Sequence, residues 1–296
     1  MRRAAILLLA LAPAAALAHG GAHQPDTGPP GWTLGASVVA PLLIGGGLYI
    51  AGFVRLWWRS DGGRPCHLRN AGLFAAGWCV LAASLCSPLH EAGERSFALH
   101  MVEHELLMLV AAPLIVLSRP MAVLLWALPP RSRQGWAAGT YRATVASRLG
   151  DPVIATMLQA VILVAWHAPP LFDRALGHEA WHVAQHLSFI VSALLFWWAM
   201  ARRHEHRGYA LPALCLFATS LVGGLLGALM ALSSSPWYAG YAALGMTPFG
   251  LSPIEDQQLA GLLMWIPGGM VHAGAALLLL ARTLRPREAF RAATFD

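Results

Sequence analysis

Seven apolar stretches, separated by short arginine-bearing segments, constrain this chain more than any other feature. They run Ser37 to Trp58, Asn70 to Leu89, Phe97 to Leu117, Pro152 to His167, Ala180 to Met200, Tyr209 to Leu232 and Leu259 to Ala281. Each approaches the roughly 20 apolar residues that a helix needs to cross a bilayer. The fourth is short and stops at Pro169-Pro170, which cannot continue a helix. The composition agrees, with 57% hydrophobic residues and only 11% charged, where soluble domains carry about 25% charged residues. No period of 20–50 residues repeats, which excludes a solenoid. The expected fold is therefore an all-α integral membrane protein, a seven-transmembrane-helix bundle forming one domain over residues 37–284, with no second soluble domain.

Orientation follows from the basic residues, all of which are arginine. With the mature N-terminus outside, sixteen arginines fall on inner segments. These are Arg55, Arg59, Arg64 and Arg69, then Arg119, Arg131, Arg133, Arg142 and Arg148, then Arg202, Arg203 and Arg207, and finally Arg282, Arg285, Arg287 and Arg291. Only Arg95 and Arg174 face outside. The positive-inside rule then predicts an N-terminus outside and a C-terminus inside, with residues 285–296 as a cytoplasmic tail. The pI near 9.7 does not imply nucleic acid as a partner, because the arginines are scattered between apolar runs and form no continuous basic stripe. Pro129 to Leu149 mixes Arg with Trp136 and Tyr141 and reads as an amphipathic segment along the inner surface. The loop from Ser233 to Glu255 lacks basic residues and offers Trp237, Tyr238 and Tyr241 as interfacial anchors on the outside.

Residues 1–18 read as a secretory signal: Arg2 and Arg3, an apolar run from Ala4 to Leu17, and a small-residue cleavage site at Ala16-Leu17-Ala18. Cleavage there leaves an outer tail over residues 19–36. His19 and His23 beside a free amine can catch copper or zinc, or belong to a plain polar tail. Cys66, Cys79, Cys86 and Cys215 show no metal-binding spacing and read as apolar filler.

The third run carries the first chemistry. On a helix, His100, Glu103, His104, Leu107 and Met108 share one face, and ionisable groups in a spanning segment point by default to function. The fifth run opens with His178, His182 and His186 at i, i+4 and i+8, a stripe ~12 Å long at 1.5 Å per residue. His167 closes the fourth run, and Glu255-Asp256-Gln257-Gln258 opens the seventh, with Met264 two turns further in. In the expected topology all of these meet at one outer level, whereas His272 lies toward the inner leaflet. Imidazole with thioether suits copper, and imidazole with carboxylate suits zinc or iron. The metal candidates are His100, His104, His167, His178, His182 and His186, with Met101, Met108, Glu103 and Asp256. The competing reading is a polar network that ties helices together. His100-Met-Val-Glu-His104 also matches the H-x-x-E-H protease pattern, with Glu103 as base and Glu179 or Asp256 as third ligand.

Three blocks, HMVEHELLMLVAAPLIVLSRP, WHAPPLFDRALGHEAWHVAQHLSFIVSALLFWW and DQQLAGLLMWIPGGMVH, together resemble the CtaG family of polytopic cytochrome c oxidase assembly factors over roughly Ser37 to Leu284. The resemblance implies a multi-pass protein of the bacterial inner membrane that serves maturation of a haem-copper oxidase. It further implies copper, held toward the periplasm and passed to an oxidase subunit, without enzymatic activity. The family's histidine positions fall on His100, His104, His167, His178, His182 and His186. One departure is Glu103, where the family pattern leads one to expect Gln. Alternatives are a membrane cytochrome with haem between His104 and His186, a metal-free assembly scaffold, and a transporter or proton relay.

Overall fold

In the computed structural model, described over residues 28–60, 63–137, 148–202 and 208–284, the expected apolar runs close into helices. The helices are α1 (Ala36–Arg59), α2 (Arg64–Cys86), α3 (Pro88–Arg95), α4 (Phe97–Leu117), α5 (Pro120–Ala127), α6 (Pro130–Ala137), α7 (Pro152–His167), α8 (Pro169–Gly177), α9 (Glu179–Ala201), α10 (Ala210–Ala231), α11 (Ala239–Leu244) and α12 (Pro253–Leu284). Among the described residues there is no strand. Six helices among the described residues are long and apolar enough to cross a membrane, and a seventh span results if α7 and α8, bent by 72° at Ala168, count as one. The chain is thus a multi-pass membrane protein. The signal segment 1–18, His19 and His23, the inner tail 285–296 and the middle of the Pro129–Leu149 segment lie outside the described residues.

Span boundaries match the hydropathy reading within a residue or two for α1, α4, α7, α9 and α10. Two differ. The second run ends at Cys86, where Ser87 takes over as cap and accepts the Leu89 N–H at 3.3 Å, so that Leu89 and His90 belong to the separate helix α3. The seventh begins at Pro253 rather than Leu259, because Ser252 and the polar Glu255-Asp256-Gln257-Gln258 form the first turns of α12.

The bundle is built around α4, the most deeply buried span; α1 is the least buried. One core packs Tyr49, Phe74 and Leu81 of α1 and α2 against Leu107 and Ile115 of α4. The larger core joins the other side of α4 to α7, α9, α10 and α12 through Met101, Phe189, Phe196, Leu216 and Met230. Outer faces carry Leu43, Ile50, Val161, Leu225 and Leu277, all exposed, as an element bathed in lipid requires. The crossing of α10 on α12 is close. A Cβ at Gly227 would sit 2.6 Å from the Gly261 carbonyl oxygen, so only glycine permits it.

The middle of α4 departs from α-geometry: Leu106–Ala111 is a π-helical segment. Such a segment shifts the residues beyond it around the axis and is found frequently at functional sites. The Trp197 indole of α9 donates to the Met108 carbonyl at 2.8 Å, satisfying a backbone group within it.

Candidate metal centre

The N-terminal ends of α4, α9 and α12, the C-terminal end of α7, and α3 all meet at one end of the bundle. Two contacts fix α3 across this end. A Cβ at Gly93 would lie only 3.2 Å from the His100 Cα, so the glycine lets α3 lie directly on α4. The Tyr241 hydroxyl donates to the Gly93 carbonyl at 2.6 Å, and burial, with nearby Asp256, Glu103 and Glu94 charges, holds that phenol well above its ordinary pKa and so neutral. Gly31 donates its N–H to the Glu91 carboxylate at 2.5 Å, laying the preceding chain over the same helix.

His90, on the inner face of α3, escaped the sequence reading. Its Nδ1 is 2.8 Å from Glu103 Oε1. Burial works against its proton, but the hydrogen bond to Glu103 and the charges of Glu103, Glu94 and Glu91 outweigh it, so the His90 pKa lies above the ordinary value. The signal that could have found it is His90-x-x-x-Glu94, a helical i, i+4 pair just after Pro88, between the second and third apolar runs.

Around His90 the imidazoles crowd together. Ring centroids are 5.2 Å apart for His90 and His182, 4.5 Å for His182 and His186, and 4.3 Å for His100 and His104. His100 lies 5.6 Å from His182, and His104 lies 5.1 Å from His186. Three sets have ligand atoms all within 4.8 Å of one another: His100, His182 and His186; His90, Glu94 and His182; and His90, Glu103 and His186. Donors on one ion at metal–nitrogen distances near 2.0–2.1 Å stand at most about 4 Å apart, so small side-chain rotations would close any of these sets.

His100, Glu103, His104 and His186 are buried, yet their atoms are not spent. His100 Nε2, both His104 nitrogens, His182 Nε2, His186 Nε2 and Glu103 Oε2 have no hydrogen-bond partner among the described residues. An unsatisfied buried polar atom costs about 1–3 kcal/mol, and helix packing alone gives no reason to gather six of them. A divalent or monovalent metal ion fits such a donor set.

The remaining expected residues do not belong to these three sets. His178 does not continue the stripe of His182 and His186: α9 starts at Glu179, and His178 is its exposed N-cap with extended backbone (φ −145°, ψ 118°). His167 gives Nδ1 to the Leu163 carbonyl at 2.8 Å, and its ring lies against Phe172 and Phe189, which also line the cluster at His100 and His104. Asp256 caps α4 instead of joining the imidazoles. Its Oδ1 accepts from Ser96 Oγ at 2.8 Å and Ala98 N–H at 3.2 Å, and its Oδ2 from Phe97 N–H at 2.6 Å. Those N–H groups begin a helix and have no partner within it. Met101 is buried in the apolar core, and Met108 Sδ accepts from Gln159 Nε2 at 3.6 Å, deeper in the bundle.

Two other chemistries fit this geometry poorly. A haem between His104 and His186 needs a slab between the rings, but these rings meet edge to face. The H-x-x-E-H pattern needs a wet base, whereas Glu103 is fully buried and its Oε1 is taken up by His90.

A family model described as cytochrome c oxidase caa3 assembly factor matches residues 47–286, well over half of the chain. No curated protein and no solved structure matches.

Proposed function

The chain belongs to the cytochrome c oxidase caa3 assembly factor family, and from that premise we propose that it serves oxidase assembly by carrying copper on its imidazole cluster. The observation that carries this reading is the convergence of unpartnered His100, His104, His182, His186 and Glu103 atoms in one place. The three ligand sets overlap: each shares one histidine with each of the others, His182, His90 or His186. An ion can therefore move from one set to the next while always keeping a bond to the shared ring. Handling of a cargo calls for this stepwise exchange more than a single rigid cage does.

The order of steps follows burial. Glu94 is exposed and His90 and His182 are half-buried, so this set takes the ion first; His100, His186 and Glu103 are buried and hold it next. Glu103 also orients the His90 ring through its hydrogen bond, as a carboxylate bonded to the other nitrogen of a metal-binding histidine does. The protein's own role is coordination, with no bond chemistry performed on a substrate. The cluster faces the outer side of the bacterial inner membrane, N-terminus outside and C-terminus inside, a topology supported by the arginine distribution at the opposite end of the bundle. An oxidase subunit docked at this outer end receives the ion.

The test is Cu(I) content of the full chain after anaerobic purification, together with oxidase assembly in a deletion strain complemented by each variant. Wild type retains copper and restores assembly; His100→Ala/His182→Ala holds less copper and does not restore assembly. Equal copper in the two proteins would overturn the reading. Assembly restored by a copper-free variant would replace it with a metal-free scaffold.

A further inference from the structure

Deeper in the bundle, alongside the π-helical segment of α4, lies a small cavity of about 30 Å³ between α4, α7, α10 and α12. That volume accommodates one small ion or a water. Its lining includes Glu105, Met108, Gln159, Met264 and His272. No helix packing explains it: Gln159 is 7% exposed, its Nε2 is used on Met108 Sδ at 3.6 Å, and its Oε1 has no partner among the described residues. Glu105 Oε2, likewise buried, has no partner among the described residues.

Glycines keep the space open. A Cβ at Gly268 would lie 3.4 Å from Glu105 Oε2, one at Gly269 would lie 3.8 Å from Ser220 Oγ, and one at Gly223 would lie 4.0 Å from the Met264 methyl. His272 is held on the other side, stacked on Trp197 with centroids 5.7 Å apart and its Nδ1 committed to the Gly268 carbonyl at 2.8 Å. That leaves Nε2 as its ligand atom.

The donor set identifies the ligand class. Two thioethers and an imidazole are soft donors that select Cu(I). Among the lining residues Glu105 offers the one carboxyl group, whose carboxylate can balance one bound monovalent cation, whereas a divalent ion would leave excess charge in lipid. We infer that this cavity is a second Cu(I) station, with Met108, Met264 and His272 as ligands and Glu105 as the balancing charge. The inference rests on the outer cluster taking copper, and α4 carries both sites: His104 belongs to the first, and Glu105 and Met108 belong to the second.

Anaerobic titration of the purified full chain with Cu(I), against a colorimetric chelator, tests it, with X-ray absorption at the copper edge as second readout. Met108→Leu/Met264→Leu conserves volume, so folding is retained. Wild type binds two equivalents and shows copper–sulfur scattering. The methionine pair variant binds one equivalent, without sulfur scattering. His100→Ala/His182→Ala also binds one, with the sulfur signal undiminished. Glu105→Gln weakens the inner equivalent about tenfold or more. Two equivalents retained by the methionine variant, or no sulfur scattering in wild type, would overturn the inference. Loss of one equivalent in the methionine variant alone, with the histidine variant unchanged, would instead sink the reading of the outer cluster. An inner site that binds sodium in preference to Cu(I) in the same titration would also overturn the assignment.

Discussion

Asp256→Asn separates a structural carboxylate from a metal ligand, and its cost can be worked from the contacts. Asp256 accepts three hydrogen bonds, from Ser96 Oγ, Phe97 N–H and Ala98 N–H, at 2.8, 2.6 and 3.2 Å. An Asn placed the same way keeps one oxygen for Ser96 and Ala98, but turns its NH2 toward the Phe97 N–H, donor against donor. One bond to a carboxylate is lost, worth about 1.5–3 kcal/mol, and a buried N–H is left unsatisfied within the same contact. The expected destabilisation is about 2–4 kcal/mol, and Asp256→Ala, which removes all three bonds, costs about 4–6 kcal/mol. Against a total stability of about 5–15 kcal/mol, either change is readily measured. Equilibrium unfolding in mixed dodecyl maltoside and SDS micelles, followed by far-UV circular dichroism, gives the value. The Cu(I) stoichiometry of the folded D256N protein stays at the wild-type level, since both oxygens of Asp256 are used on α4. Stability unchanged with one equivalent of copper lost would refute the capping argument and return Asp256 to the ligand set.

Other consequences are equally specific. His90→Ala lowers Cu(I) affinity by about 10–100-fold, comparable with His182→Ala, because His90 is shared by two of the three ligand sets; competition against a chelator reads it, and an unchanged affinity would place His90 outside the site. Gly93→Val puts a branched side chain where a Cβ is already 3.2 Å from His100, costing about 1–3 kcal/mol by overpacking and weakening copper binding, both visible on one purified sample. Gly261→Leu drives a side chain against Ala231, whose N would lie 2.6 Å from the new Cβ; the α10–α12 crossing must open, and a thermal midpoint equal to wild type would contradict the packing described. Trp197→Phe leaves the Met108 carbonyl of the π-helical segment without its 2.8 Å partner, a loss of about 1–3 kcal/mol measured by the same unfolding assay.

The spans were legible in the sequence because long apolar runs in lipid can satisfy their backbone only by helix formation; α4 and α7 have the bounds that hydropathy assigned. Spacing within one helix was legible too. His100, Glu103 and His104 stay together, as do His182 and His186, since a turn of helix fixes their relation whatever surrounds it. What failed were places where a helix begins or where another element intervenes. His178 leaves the stripe because α9 starts one residue later. Asp256 leaves the ligand set because α12 starts earlier than its apolar run and delivers a carboxylate to the bare N-terminus of α4.

Only the tertiary structure could add His90, whose place depends on Gly93 and Tyr241 holding a short helix across the end of the bundle. The same holds for the deeper cavity: Glu105, Gln159 and His272 are far apart in sequence and meet where opposed glycines let α10 and α12 approach each other and Gly268 of α12 faces Glu105 of α4. Local periodicity and bilayer thickness act on each segment separately, so they can be read along the chain. Convergence of donors from different helices depends on how those helices cross, which is decided by contacts distant in sequence.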